Sequence, residues 1–187
     1  PFSGEFGISK NPESFASESY RVYFTDRVRG TVMRLSKDGL TPISMYGMRD
    51  WFKDNLKLST QLVTSKLIGS YDDKKDEYNI TLKDINKTVS FREDVKGWVS
   101  FKSFVPQNGI SCASEYYTFD SGKIWRHYDE SVNRNNFYGD DYSSTLTVML
   151  NEAPGSIKSF HALNYEGSQS KIDMYTNTSL AFDYQPT

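Results

Sequence analysis

Residues 20–41 alternate apolar and polar side chains between turn residues, and this alternation restricts the chain to antiparallel sheet more than any other feature. Tyr20, Val22 and Phe24 alternate with Arg21, Tyr23 and Thr25, the period-2 pattern of a half-buried strand. Val32 and its alternate neighbours repeat it, and Lys37-Asp38-Gly39 offers a residue free to take positive φ at the next reversal. The same grammar returns at residues 67–82 and 115–128. Turns of hairpin length leave no room for crossover helices. The predicted fold is therefore all-β and mainly antiparallel, in β-propeller-like blades, with a two-sheet β-sandwich as the alternative.

Strands are expected near 20–25, 31–36, 40–45, 67–71, 78–82, 88–91, 97–105, 115–119, 123–128, 145–150 and 171–175. Met48, Trp51, Phe52 and Leu56 fall at i, i+3, i+4 and i+8, one apolar stripe of a single short helix that covers the core. Residues 1–187 read as one mostly-β module. An irregular segment, 1–19, leads into a meander at 20–128, a polar loop at 129–144 and terminal strands at 145–187. The chain starts at Pro1 without Met and reads as a piece of a longer polypeptide. Trp51, Phe52, Trp98, Phe101 and Trp125 are expected to be largely buried.

Charge narrows the function. The 22 basic residues are scattered among 24 acidic ones, for a net charge of −2; a duplex-binding surface needs clustered Lys and Arg, so no nucleic acid is expected. No apolar run approaches the ~18 residues of a membrane helix, so no membrane is expected either. The lone cysteine excludes an internal disulfide and is read as a small buried hydrophobe, Cys112.

Catalytic and metal signatures are weak. Asp72, Asp73, Asp76 and Glu77 hold two lysines among them and lack the Asp-x-Asp-x-Asp-Gly spacing of a calcium loop. They read as a solvated hairpin tip, with Asp72, Asp73 and Asp76 the first candidates should a metal bind. His127 and His161 lie in different sections, and nothing around Cys112 marks a nucleophile. No catalytic residue, metal site or cofactor is predicted, and two remote glycosidase carboxylates leave no local signal. The remaining candidates are Tyr116, Tyr117, Trp125, Tyr128, Phe137, Tyr138 and Tyr142, clustered beside polar Asn133, Asn135, Asn136, Asp140 and Asp141. Such a surface suits a protein partner or a glycan; the contacting set is Tyr116, Tyr117, Tyr128, Asn133, Asn136, Tyr138, Asp140 and Tyr142.

Segments 5–16, 23–36, 69–79, 97–104 and 156–167 together resemble large virion structural proteins of tailed bacteriophages, notably marine phages. The general layout is similar to phage nozzle and tail-ring propellers. The resemblance implies a virion protein of tail or neck, assembled in the bacterial cytoplasm, that contacts other virion proteins or copies of itself. It transfers no active-site residues. A non-enzymatic structural module is thus the leading expectation, a carbohydrate-binding or host-adhesion module the second, and a propeller-type glycoside hydrolase or lyase the third.

Overall fold

The computed structural model describes residues 5–8, 11–58, 66–147, 153–159 and 161. Its contacts divide the chain into two units, residues 1–145 and 146–187, and every described strand lies in the first.

Four short strands, β1 (Ala16–Glu18), β2 (Arg21–Asp26), β3 (Thr31–Ser36) and β4 (Gly39–Pro42), form an antiparallel sheet in chain order. The reversal before β3 uses Gly30 at φ +67°, where a side chain would meet the Lys53 backbone at 3.0 Å. Only glycine fits there. After the helix α1 (Arg49–Leu58), a second sheet repeats the same order with β5 (Leu67–Asp72), β6 (Glu77–Leu82), β7 (Lys87–Arg92) and β8 (Gly97–Lys102). A third sheet, ordered β11-β10-β9, holds β9 (Asn108–Cys112), β10 (Glu115–Asp120) and β11 (Lys123–Arg126). Beyond it lies a small hairpin, β12 (Asn136–Phe137) with β13 (Asp140–Asp141). The fold is mostly antiparallel β with one α-helix among the described residues. Among the described residues the sheets close neither a barrel nor a ring of blades.

The second sheet is covered on both faces. Its apolar face packs Tyr71, Tyr78, Ile80, Val89 and Phe91 against Tyr23 and Val32 of the first sheet and Phe52 and Leu56 of the helix. Tyr23 stacks on Tyr71 and Tyr78, with centroids 5.7 and 4.7 Å away. Each such pair adds about 0.5–1.5 kcal/mol beyond the area it buries. The Tyr23 hydroxyl donates to Glu93 at 2.8 Å, and the same carboxylate pairs with Arg34 at 2.7 Å, so one carboxylate ties the two sheets together.

The opposite face is polar yet equally buried. Ser70 Oγ lies 2.7 Å from Tyr116 Oη, Asn79 donates to that oxygen at 3.4 Å, and Ser90 donates to Asn79 at 2.5 Å. Thr81 Oγ1 lies 2.7 Å from Thr88 Oγ1, which donates to the Phe104 carbonyl at 2.6 Å. Buried polar groups need such partners. With them, an alternating strand can sit between two layers.

Several expectations are corrected. The first strand falls in the segment 1–19 read as irregular, and β9 falls between the strands expected at 97–105 and 115–119. The run 97–105 ends at Lys102, and 40–45 leaves the sheet at Pro42 for a 3-10 turn at Ile43–Met45. The polar loop contains the β12–β13 hairpin. Residues 145–147 form no strand; 148–150 and 171–175 lie outside the described residues. Phe52 is fully buried, whereas Trp51, Trp98 and Trp125 are half-buried. Phe101 is 53% exposed, because β8 is an edge strand and its ring meets Trp51 from one side only.

Candidate interaction surfaces

Period 2 along β10 sorts the aromatic cluster. Tyr116 and Thr118 point into the molecule and are fully buried, while Tyr117 and Phe119 lie on the other face. Tyr116 is therefore not a surface contact. Its hydroxyl is consumed by Ser70 and Asn79.

His127 completes this inner layer, between the rings of Phe104 at 4.8 Å and Tyr116 at 4.9 Å. Its Nε2 lies 2.7 Å from Thr118 Oγ1, which in turn accepts the Tyr138 hydroxyl at 3.0 Å. Burial, reinforced by the positive Lys102, pushes the imidazole down to about 4. The neutral ring holds the layer, its Nε2 giving or taking the Thr118 hydrogen bond according to its tautomer. Tyr138 is half-buried, its ring 5.5 Å from Trp125.

Tyr128 keeps 39% of its surface exposed, yet its hydroxyl donates to the Asp72 carboxylate. The other Asp72 oxygen accepts the amides of Lys74 at 3.0 Å and Lys75 at 3.3 Å. Asp72 is fully buried and Glu77 is 6% exposed, which corrects the reading of this tip as wholly solvated. Both residues end strands rather than sit in the loop, and only Asp73, Lys74, Lys75 and Asp76 face solvent. Burial raises the Asp72 carboxyl, opposed by the Tyr128 hydrogen bond and the two amides. Glu77 pairs with Lys102 at 2.9 Å. Among the described residues, no three His, Cys, Asp or Glu side chains are grouped to hold a metal ion. No described helix is long and apolar enough to cross a membrane.

Two surfaces remain. The outer face of the third sheet carries Ile110 opposite Tyr117 and Phe119 opposite Ile124. Ile110 is 55% and Ile124 67% exposed. Cys112 shares this face two residues from Ile110 and is exposed; the expected buried thiol is not found, since the β9 alternation turns it outward. On the β12–β13 side, Asn133, Asp140 and Tyr142 are exposed, and Asn136 donates to Asp141 at 2.8 Å. Tyr138 and Tyr142 share that hairpin region, but Tyr117 lies on the far face of β10. The eight contact candidates thus do not form one patch.

The third feature is a groove of about 530 Å³ where β1, β5 and β9 converge. Phe15, Ser17, Gly69, Asp73, Asn108 and Ile110 are among its walls. The sequence carries no signal for it, because two of its three strands are too short and too poor in apolar residues to be recognised.

Residues 2–122 match the Crassvirus muzzle protein family, and residues 132–187 match the Crassvirus muzzle protein C-terminal domain. No curated protein matches the chain. The matches carry the resemblance to phage virion proteins; they are to crassviruses and do not single out marine phages. With a match across well over half its length, the chain belongs to the Crassvirus muzzle protein family, a family of phage virion structural proteins.

Proposed function

We propose that this chain is a non-enzymatic structural module of the phage tail or neck. It assembles in the bacterial cytoplasm and joins other virion proteins or further copies of itself. The observation that carries this reading is the outer face of the third sheet, where Ile110, Tyr117, Phe119 and Ile124 form an apolar row on a protein of virion family. An apolar face of this kind suits a packed neighbour. The groups that could do chemistry support the same reading. Asp72 and Glu93 are each engaged in a bond that leaves their own sheet, and His127 is buried between the rings of Phe104 and Tyr116 with its Nε2 bonded to Thr118. A blade-like arrangement is supported by the convergence of β1, β5 and β9, the first strands of three successive meanders, on one groove, as innermost blade strands would converge.

The test substitutes Ile124→Lys, in the apolar row but outside the groove that Ile110 also lines. The side chain is 67% exposed, so the melting temperature should stay within a few degrees of the parent. Incorporation into phage particles should fall at least tenfold. Unchanged incorporation would count against this face as an assembly surface.

Host adhesion is the second reading, favoured by Tyr142, which is 41% exposed beside Asp140 and Asn133. Glycan-array binding lost on Tyr142→Ala would support it. Tyr138 suits this test less well, since its hydroxyl bonds Thr118.

A further inference from the structure

We infer that the groove between β1, β5 and β9 binds an extended, basic segment of a neighbouring virion protein by strand addition. The inference rests on the structural reading above only for the source of that segment. In an antiparallel ladder, alternate pairs exchange hydrogen bonds and the residues between them aim their backbone groups outward. β1 turns into β2 through Ser19-Tyr20, with Glu18 opposite Arg21 and Ala16 opposite Tyr23. Ser17 therefore aims its N–H and carbonyl away from β2. On β5, the Lys83 N–H donates to the Lys66 carbonyl at 3.1 Å, so Gly69 and Tyr71 present their backbone away from β6. The Tyr71 carbonyl accepts Ser111 Oγ at 2.8 Å, direct evidence of that outward orientation. On β9, the Gly109 N–H is held only by its neighbour Asn108 Oδ1 at 2.8 Å. Ser111 Oγ also accepts the Asp73 N–H at 3.0 Å, so the upper part of the β5 edge is closed by this side chain, and the outward backbone of Ser17 and Gly69 is what meets the cavity without a strand to pair with it. At about 530 Å³, the cavity falls within the ~300–1,000 Å³ of ligand sites.

Side chains define the occupant. The lining includes the small side chains of Ala16, Ser17 and Ser111, which let a backbone come close. Phe15 and Ile110, 49% and 55% exposed, supply apolar walls. The charged side chains of the lining are Glu13 and Asp73, both acidic. The partner of matching chemistry is an extended segment with small or branched apolar residues between Lys or Arg. Backbone bonds give such a complex its affinity, and alternate side chains its specificity. β1 is three residues long and carries Glu18 but no Pro or Lys, so its edge is shortened without losing the outward N–H of Ser17.

The test uses the whole chain and a labelled heptapeptide, Lys-Ser-Val-Ser-Val-Ser-Lys, beside the same peptide with Glu at both ends. Anisotropy should show saturable binding of the basic peptide and at least tenfold weaker binding of the acidic one. Ser17→Pro removes the outward N–H without touching the β1–β2 ladder, and should weaken the basic peptide about tenfold; Ser17→Ala should not. Glu13→Lys with Asp73→Lys, at two exposed positions, should reverse the peptide preference and keeps the test independent of how Ser17→Pro folds. Bound peptide should slow deuterium exchange at the Ser17 amide. Absence of saturable binding, equal binding of the two peptides, or unchanged exchange at Ser17 would overturn the inference. Incorporation into particles is read separately, so a failure of the virion reading leaves its own signature.

Discussion

The Tyr116 hydroxyl sits where the second and third sheets meet, 2.7 Å from Ser70 and 3.4 Å from Asn79, on a fully buried side chain. Tyr116→Phe keeps the ring but leaves these groups without their shared partner, which should cost about 1–3 kcal/mol. Urea denaturation of the two proteins reads this directly, and coincident curves would contradict the hydrogen-bond ladder. His127 allows a second test, by pH. Its folded value, about 4, lies below the ordinary 6.5, so the unfolded chain takes up the proton first. The stability it contributes is whole above about pH 6.5, is lost as pH falls toward 4, and changes no further below. The loss should amount to at most about 3 kcal/mol. Wild type should therefore lose more stability than His127→Gln between pH 7 and pH 4. Parallel losses would show that the imidazole is not held neutral by its surroundings.

The helix and the edge strand β8 differ in how completely their aromatic residues are enclosed. Phe52 of α1 is fully buried against Trp51 and Trp98, whereas Phe101 of β8 has one ring neighbour and an open side. Phe52→Ala should cost about 3–5 kcal/mol, and Phe101→Ala roughly 1 kcal/mol or less; thermal melts showing equal losses would refute the assignment. On β5, a side chain at Gly69 would stand 2.0 Å from the Ser14 carbonyl oxygen, which already accepts the Tyr78 hydroxyl at 2.8 Å. Gly69→Ala should therefore destabilise by about 3 kcal/mol, the upper end of ordinary overpacking. A variant as stable as the parent would mean that the Pro12–Ser14 turn is not held against β5. These elements also show where the sequence was legible. Strands β2, β3, β6 and β10 announced themselves by alternating large apolar residues, and α1 by its stripe. β1 and β9 hold Ala, Ser, Asn and Gly, whose place is set by neighbours rather than by a local pattern. Missing β9 hid the groove and turned Cys112 the wrong way. The burial of Asp72 and Tyr116 stayed hidden because alternation gives two faces without saying that both are covered.

At the scale of the whole chain, the family matches and the contacts divide the protein at different places. The C-terminal match begins at residue 132, while the first compact unit runs to residue 145. The difference is the β12–β13 hairpin, and packing places it with the unit before it. Phe137 lies 5.2 Å from Phe104 and 5.9 Å from His127, and Tyr138 covers Trp125 and bonds Thr118. A chain of residues 1–145 retains these contacts together with the whole described core, and its length is enough to bury roughly two-thirds of its unfolded surface. It should unfold in one cooperative transition, seen alike by circular dichroism and by fluorescence of its three tryptophans. A chain cut at residue 131 loses Phe137 and Tyr138. Each fully buried apolar side chain contributes about 1.5–3 kcal/mol, and these two are half-buried, so the shorter chain should be less stable by about 1.5–3 kcal/mol. Its Trp125 emission should shift to the red as the indole gains water. Equal stability of the two truncations would place the hairpin outside the folding unit, and a non-cooperative transition in residues 1–145 would deny that unit an independent core.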